Sequence, residues 1–287
     1  MRRGFASCVA VGLGIFLVMP ASGAPIYNNL TPNNLMAIAT RPDVGVPFEI
    51  EAGDDFILGS RTTINAASFT GLLVPGTGGI PSASDVVVEI YRVFPKDSNT
   101  VRIPNVPTRT NSPSDVAFDS RDSAAAGLTF TPIVLAGTFT ALNSVQPGGI
   151  HVVLVPPGGG GPLTGQEVQF NVTFTIPFDL PADHYFFVPQ VALTNGGQFY
   201  WLSASRPISG AGTTPFAPDL QVWTRDTALD PDWLRVGTDI VGGTPAPTFN
   251  AAFSLDGRVV PEPSTLLLLG FGLAGLASLT WRRHRSA

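Results

Sequence analysis

Apolar and polar residues alternate along short segments in the middle of the chain, and the clearest of these is DVVVEIYRVF, residues 85–94. Successive side chains of a β-strand point to opposite faces. The alternation therefore separates two sets of residues: Val86, Val88 and Ile90 on one side, and Val87, Glu89 and Tyr91 on the other. Because each set contains large apolar side chains, we predict an inner strand that is covered on both faces.

Similar segments recur along residues 24–259, and most of them end at Pro, Gly, Asn or Asp. They are residues 48–51, 56–58, 64–74, 85–94, 133–140, 150–155, 167–176, 184–193, 198–204 and 249–255. Short strands at this spacing, with few helical signals between them, are typical of antiparallel β folds. The pattern predicts an all-β body with an antiparallel β-sandwich or jelly-roll architecture.

Three interruptions of the pattern carry more specific predictions. Asn195-Gly196-Gly197 lies between two strand segments. Asn and Gly tolerate the positive φ of a tight turn, so we expect a β-hairpin there. The four glycines at 158–161 are flanked by strand-like sequence and indicate a loop within one domain. A short surface helix is allowed at residues 115–126.

The first 23 residues have the order of a secretory signal peptide. Arg2 and Arg3 form the positive start, residues 9–19 form an apolar run, and small residues surround the predicted cleavage site after Gly23. The apolar run is too short to span a bilayer. We expect the exported mature chain to start near Ala24.

The end of the chain contrasts with the body. Ser264 to Trp281 is a stretch without charge, and as a helix it would reach about 27 Å, close to the thickness of a bilayer's hydrocarbon core. Arg282, Arg283 and Arg285 follow it directly, and positive residues mark the cytoplasmic side of a span. The tail therefore predicts one C-terminal transmembrane helix with the body in the periplasm.

The segment just before this stretch is Val260-Pro261-Glu262-Pro263-Ser264. Two prolines around a single residue exclude a helix and favour an extended backbone. An extended peptide outside the membrane is accessible to a processing enzyme.

A Pro-Glu-Pro signature, an apolar stretch rich in Leu and Gly, and a terminal arginine cluster, in this order over residues 260–287, resemble the PEP-CTERM sorting signal of Gram-negative bacteria. The same signal is also called the ice-binding protein C-terminal domain, a name that implies nothing about the body. The resemblance implies that an exosortase recognises Pro261, Glu262 and Pro263 and cleaves nearby. It also implies delivery to the outer envelope or the extracellular polysaccharide matrix of a biofilm.

Charge and cysteine content limit what the body can do. Cys8, in the signal peptide, is the only cysteine, so the mature chain has neither disulfides nor thiolate chemistry. Setting aside the five arginines of the two ends and Glu262 leaves 11 basic and 20 acidic residues, a net charge of about −9. Lys96 is the only lysine, which makes nucleic acid an unsuitable partner. Cations such as calcium suit this surface better.

The body shows no local motif for a catalytic nucleophile, a metal cluster or a cofactor loop, so we expect a protein that is not an enzyme. His151 and His184 have no metal-binding spacing. Glu49 and Glu51 share a strand face, and a pair of carboxylates is what a glycosidase requires. A secreted hydrolase acting on polysaccharide therefore remains the alternative to a structural or polysaccharide-binding module.

Two groups of residues are candidate binding sites. Trp201 and Trp223 could stack on sugar rings, although large aromatic residues more often belong to a core. Asp226, Asp230 and Asp232 lie in a proline-containing loop and could supply oxygen ligands to calcium, although a solvated polar loop has the same composition. No other metal or cofactor site is predicted.

Overall fold

The computed structural model describes residues 25–43, 49–101, 110–146, 159–208, 219–227, 233–260 and 271–272. The predicted signal peptide, residues 1–23, and most of the tail lie outside these ranges. Strands dominate the described residues, as the sequence pattern predicts: β1 Tyr27–Asn28, β2 Pro32–Ala39, β3 Ile50–Leu58, β4 Thr62–Val74, β5 Ala83–Arg92, β6 Asp119–Asp122, β7 Leu128–Ala141, β8 Ser144–Val145, β9 Leu163–Leu180, β10 Asp183–Leu193, β11 Gln198–Ala204, β12 Trp223–Asp226, β13 Leu234–Arg235 and β14 Phe253–Val259. A π-helical turn spans Val236–Val241.

The strands form two sheets. In the first sheet, β4 pairs with β9 along one edge, and β9 continues to β7. The other edge of β4 pairs with β14 along one part and with β11 along another. β14 also pairs with β1, and β11 also pairs with β2, which in turn pairs with β8. The second sheet has the order β13-β12-β3-β10-β5-β6. Every pair is antiparallel except β2 with β8.

One apolar core draws on both sheets. Phe69 and Phe170 from the first sheet belong to the same buried cluster as Phe56, Val88 and Phe187 from the second. Strands from before and after residues 158–161 contribute to it. Since Cys8 is the only cysteine of the sequence, no internal disulfide can form, and apolar burial of this kind supplies most of the stability of the body.

β5 has the two-sided burial that its alternation predicts. Val86, Val88 and Ile90 are buried in the shared core. On the opposite face Tyr91 is buried in a separate apolar cluster, while Val87 and Glu89 are partly buried. The strand lies between β10 and β6, so it is an inner strand.

Two local predictions are wrong. Residues 115–126 contain the strand β6 and turns rather than a helix, because Asp119–Asp122 pairs with β5 at the edge of the second sheet. The predicted hairpin at residues 195–197 does have positive φ at Asn195 and Gly196. However, β10 before the turn belongs to the second sheet and β11 after it to the first, so the turn connects two sheets instead of pairing two strands.

Other predictions lie partly or wholly beyond the described residues. The predicted strand at 150–155 is outside them. Within the described residues no helix has the length and apolar character needed to cross a membrane. Of the predicted span Ser264 to Trp281, only Phe271 and Gly272 are described.

A buried carboxylate cluster as the candidate functional site

The second sheet has a small apolar cluster of its own on the face that points away from the shared core. Its members come from β5, β10, β12 and the flanking segments: Tyr91, Phe186, Val188, Leu220, Trp223 and Trp233. The Trp233 indole donates a hydrogen bond to the carbonyl oxygen of Ser114 at 3.0 Å. Irregular segments therefore cover this face, and polar side chains beside the cluster become buried.

Three carboxylates meet next to this apolar cluster, and we call them the glutamate cluster. Glu49 immediately precedes β3, Glu51 lies in β3, and Glu89 lies in β5. One carboxylate oxygen from each residue lies within 4.8 Å of the other two. Glu51 is fully buried, whereas Glu49 and Glu89 are partly exposed. The sheet thus gathers acidic groups that are about 40 residues apart in the chain.

Glu51 has partners for both of its oxygens. The guanidinium of Arg225 forms an ion pair with Oε2, and the hydroxyl of Tyr91 donates to Oε1 at 2.5 Å. Arg225 also donates to the Tyr91 hydroxyl at 3.1 Å and lies 4.5 Å from the centre of the Trp233 ring. Arg225 lies directly opposite Glu51 in the pairing of β12 with β3, which explains how the sheet holds this pair in place.

Gln190 of β10 reaches the same cluster from between the strands that carry the glutamates. Its side-chain amide donates to Glu49 Oε1 at 2.8 Å. The residue is fully buried, and its amide oxygen Oε1 has no hydrogen-bond partner. A buried acceptor without a partner costs free energy, so this oxygen is an unsatisfied group on an amide that contacts the glutamate cluster through Glu49.

Burial and mutual repulsion keep the cluster from ionising fully. Burial, together with the charge of Glu51, raises the pKa of Glu89 to about 9. The same two causes, in the same order, raise the pKa of Glu49. The guanidinium of Arg225 pairs with Glu51 and only weakly offsets the raised pKa of Glu49. The raised pKa of Glu89 therefore favours its protonated form at neutral pH.

A second polar cluster lies farther along β3. The imidazole Nε2 of His184 is 2.6 Å from Asp55 Oδ2, and the backbone N–H of Leu220 donates to Asp55 Oδ1 at 2.9 Å. The neighbouring Asp54 is fully buried and accepts from the backbone N–H of Ala251 at 2.8 Å, while its Oδ1 has no partner. Burial is the main cause that raises the pKa of both aspartates.

The raised pKa of Asp54 predicts that the free energy of unfolding falls as the pH rises. Its pKa is higher in the folded chain than in the unfolded chain, so the folded state binds the extra proton between the two values, and raising the pH through this range favours unfolding. After burial, the charges of Asp55 and Asp219 raise the pKa of Asp54 further, while the hydrogen bond from the Ala251 backbone lowers it.

We therefore expect Asp54→Asn to reduce the loss of unfolding free energy between pH 5 and pH 8, by up to about 1.4 kcal/mol per pH unit. Chemical denaturation at several pH values measures this slope. Asp97→Asn is the control, because the hydrogen bond from Arg92 lowers the pKa of Asp97, which stays ionised across the range. An unchanged slope in Asp54→Asn would show that Asp54 does not hold the proton.

Comparison with known proteins identifies the end of the chain. The sequence profile described as the PEP-CTERM protein-sorting motif matches residues 259–285. The chain carries a PEP-CTERM sorting signal. No curated protein and no solved structure matches the chain. The motif marks an exported protein that an exosortase sorts to the cell surface or envelope.

The two tryptophans predicted as a sugar platform require a correction. Trp201 is fully buried in the shared core, and Trp223 is 2% exposed in the apolar cluster of the second sheet. The indole of Trp201 donates to the carbonyl oxygen of Ala252 at 2.9 Å, and its ring packs against Phe187 and Phe253. The two rings therefore do not form an exposed sugar platform, because the sheets need their apolar area for packing.

The predicted calcium loop and the sorting residues are described only in part. Asp226 ends β12 opposite Ile50, beside the glutamate cluster, whereas Asp230 and Asp232 lie outside the described residues. Val260 is described and donates its N–H to the carbonyl oxygen of Arg61 at 2.8 Å. The other predicted tail residues lie outside the described ranges: Pro261, Glu262, Pro263, Ser264, Arg282, Arg283 and Arg285.

Sequence reasoning found part of the glutamate cluster and missed the rest. The alternation around Glu49 and Glu51 placed those two side chains on one face, and the alternation in β5 separated Glu89 from the core positions. No local signal connects them to Gln190 or Arg225. A polar side chain in the middle of an otherwise apolar strand, such as Gln190 in HYFFVPQVAL, is the one clue that the sequence offers.

Proposed function

We propose that this protein is an exosortase-processed structural component of the cell surface or extracellular matrix and that its β body is not an enzyme. The position of the sorting signal supports this proposal most strongly. Its match begins at Val259, the last residue of β14, which pairs with Thr62 of β4. Cleavage beyond Val260 would release the body with every described strand intact.

The packing of the body fits a structural role. We infer that the two sheets form one β-sandwich domain over residues 24–259, held by the shared core without disulfides. The largest aromatic rings contribute to packing, and the Glu51–Arg225 pair is bonded internally. If the body binds polysaccharide, acidic groups with bound cations are better suited to it than Trp201 or Trp223.

The fate of the tail follows the same proposal. Ser264 to Trp281 would hold an inner-membrane intermediate with the body in the periplasm, and Arg282, Arg283 and Arg285 would fix that orientation. Processing would then transfer the body to the outer envelope or the extracellular matrix.

A polysaccharide hydrolase is the second candidate, because the glutamate cluster has one of its features. Glu51 lies beside Glu89, whose raised pKa would suit a general acid. The full burial of Glu51 and its bonds to Arg225 and Tyr91 argue against this candidate, since a glycosidic bond must reach both carboxyls. Turnover of a matrix glycan by the purified protein, abolished in Glu89→Gln, would favour the hydrolase and refute the proposal that the body is not an enzyme.

C-terminal processing is the most direct test of the proposed route. Trypsin cleaves after Arg258 and Arg282, so an intact chain yields the peptide from Val259 to Arg282. In cells that contain an exosortase, we expect mass spectrometry of the envelope and medium to find peptides up to Arg258 but little of this terminal peptide. Deleting the exosortase, or substituting Glu262→Ala, should restore it. An abundant terminal peptide in the exosortase-containing strain would contradict processing.

A further inference from the structure

We propose that the glutamate cluster is a calcium site in which Glu49, Glu51, Glu89 and the amide oxygen of Gln190 are the protein ligands. The site differs from the aspartate loop at residues 226–232, and it does not depend on how the C-terminal tail is processed. Its ligands come from three adjacent strands or their ends, β3, β10 and β5.

The spacing of the carboxylates suits one ion of calcium's size. Calcium binds oxygen ligands at about 2.3–2.6 Å, so two oxygens on one ion are at most about 5 Å apart. The oxygens of Glu49, Glu51 and Glu89 lie within 4.8 Å of one another, which satisfies this limit for every pair. Glu51 is held by Arg225 and Tyr91, and each of its carboxylate oxygens can accept more than one contact.

Gln190 provides an independent reason to expect a cation. The amide reaches the cluster through its bond to Glu49, yet its own oxygen is fully buried and has no partner. An amide oxygen is a calcium ligand of the kind that accompanies carboxylates. Turning the amide over about its last side-chain bond would exchange its nitrogen and oxygen, so that the oxygen would take the place beside Glu49 that the Nε2 donor now occupies. An ion between them would satisfy an acceptor that the protein leaves unpaired.

Charge favours a divalent ion. Three ionised carboxylates and the guanidinium of Arg225 would carry a net charge of −2, which one calcium ion neutralises. Burying unbalanced charge is costly, so the ion would allow all three carboxylates to ionise together. The set contains only oxygen donors, with neither imidazole nor thiolate, which disfavours zinc. Magnesium requires a stricter octahedral geometry and retains several waters, so a partly buried set of strand residues suits calcium better.

Calcium at this position would stabilise one face of the second sheet. The ligands connect β3, β10 and β5, and Arg225 and Tyr91 connect them to Trp233 and to the segment around Ser114. Cys8 is the only cysteine of the sequence, so no internal disulfide can serve this purpose. A bound ion stabilises the folded state by mass action. Once the ion concentration exceeds Kd, the gain in free energy of unfolding grows with the logarithm of the ratio of that concentration to Kd.

The test uses the full-length chain, purified in detergent and stripped of metal with EDTA. At a calcium concentration about 100 times the Kd, we expect the Tm to rise by about 5–10 °C. Magnesium at the same concentration should raise it much less. Terbium should bind in place of calcium and luminesce when Tyr91 and Trp233 are excited, and added calcium should quench this signal. The luminescence measurement needs no variant.

Glu49→Gln and Glu89→Gln are the informative variants, because both side chains are partly exposed and glutamine keeps their size. Each should keep a folded, cooperative transition without metal but lose most of the calcium-dependent rise in Tm and the terbium signal. Glu167→Gln is the matched control, since Glu167 is a buried glutamate of the first sheet outside the cluster, and it should respond like the wild type.

Three results would overturn the proposal. The first is a wild-type Tm that does not change up to 10 mM calcium, together with no calcium-sensitive terbium signal. The second is a calcium response that persists unchanged in both Glu49→Gln and Glu89→Gln. The third is a response that Asp226→Asn abolishes while Glu89→Gln keeps it, which would move the ion to the aspartate loop.

Discussion

Replacing Val88 with aspartate is expected to unfold the body. Val88 is fully buried on the side of β5 that faces the shared core, among apolar side chains from both sheets. A carboxylate there would have no partner, and an unpaired buried charge costs several kcal/mol, a large part of the 5–15 kcal/mol that typically stabilises a domain. Because the body would already be unfolded, we expect circular dichroism to show no cooperative thermal transition at 37 °C or above.

Val101→Asp is the control for this substitution, because Val101 is 84% exposed and the same change there should alter the unfolding free energy by less than about 0.5 kcal/mol. If Val88→Asp instead melted within a few degrees of the wild type, the inner face of β5 would not be packed as the structure shows.

Trp201→Ala should lower the unfolding free energy by about 3–5 kcal/mol. The substitution removes the largest fully buried ring of the core, its contacts with Phe187 and Phe253, and the hydrogen bond to Ala252. In a domain of this size the loss corresponds to a fall in Tm of about 10 °C or more. Denaturant titration and thermal melting both measure it.

Trp201→Phe separates packing from hydrogen bonding. It retains an aromatic ring but leaves the Ala252 carbonyl oxygen without the indole donor, so we expect a smaller loss than for alanine. A Tm unchanged in Trp201→Ala, combined with lost retention on a matrix glycan, would contradict the buried position and restore the platform hypothesis.

The two polar clusters of the second sheet show how this protein combines burial with charge. Glu51, Asp54 and Asp55 are all buried in a single strand, β3, that contains only nine residues. Burial is the main cause that raises the pKa of Asp54 and of Glu89, whereas Glu51 is paired with Arg225. Both clusters contain a buried oxygen without a partner, Asp54 Oδ1 in one and Gln190 Oε1 in the other. Among the described residues only the glutamate cluster brings three carboxylates close enough to share one ion, which makes it the better candidate for a functional site.

Local patterns were sufficient where the relevant physics is local. Alternation in DVVVEIYRVF identified the buried positions of β5 because side-chain direction in a strand depends only on residue parity. Residues 198–204 were predicted with the same bounds as β11 for this reason and because a turn precedes them. The sorting signal is also local, since its three parts occupy consecutive residues that the PEP-CTERM profile matches.

Local patterns failed where the partner of a segment decides its structure. β2, PNNLMAIA, has polar residues at one end and a helix-compatible sequence, yet pairing with β11 makes it a strand. β6 has the charged sequence DSRD and becomes a strand only because β5 has a free edge. The turn at Asn195 was predicted correctly, but the sheet that each flanking strand joins depends on β3, β4 and β5, which are far away in the chain.

Composition and neighbouring residues were enough to indicate the sorting signal, the β class of the body, the lack of an internal disulfide and the two faces of β5. The fold was needed to show that Trp201 is a core residue and that Glu51 meets Arg225 across 174 positions of the chain. The fold also brings the amide of Gln190, whose oxygen has no partner, into contact with Glu49 of the glutamate cluster. These contacts depend on the order of the strands in each sheet. That order results from burying the apolar faces of all the strands together, so it cannot be read from a single segment.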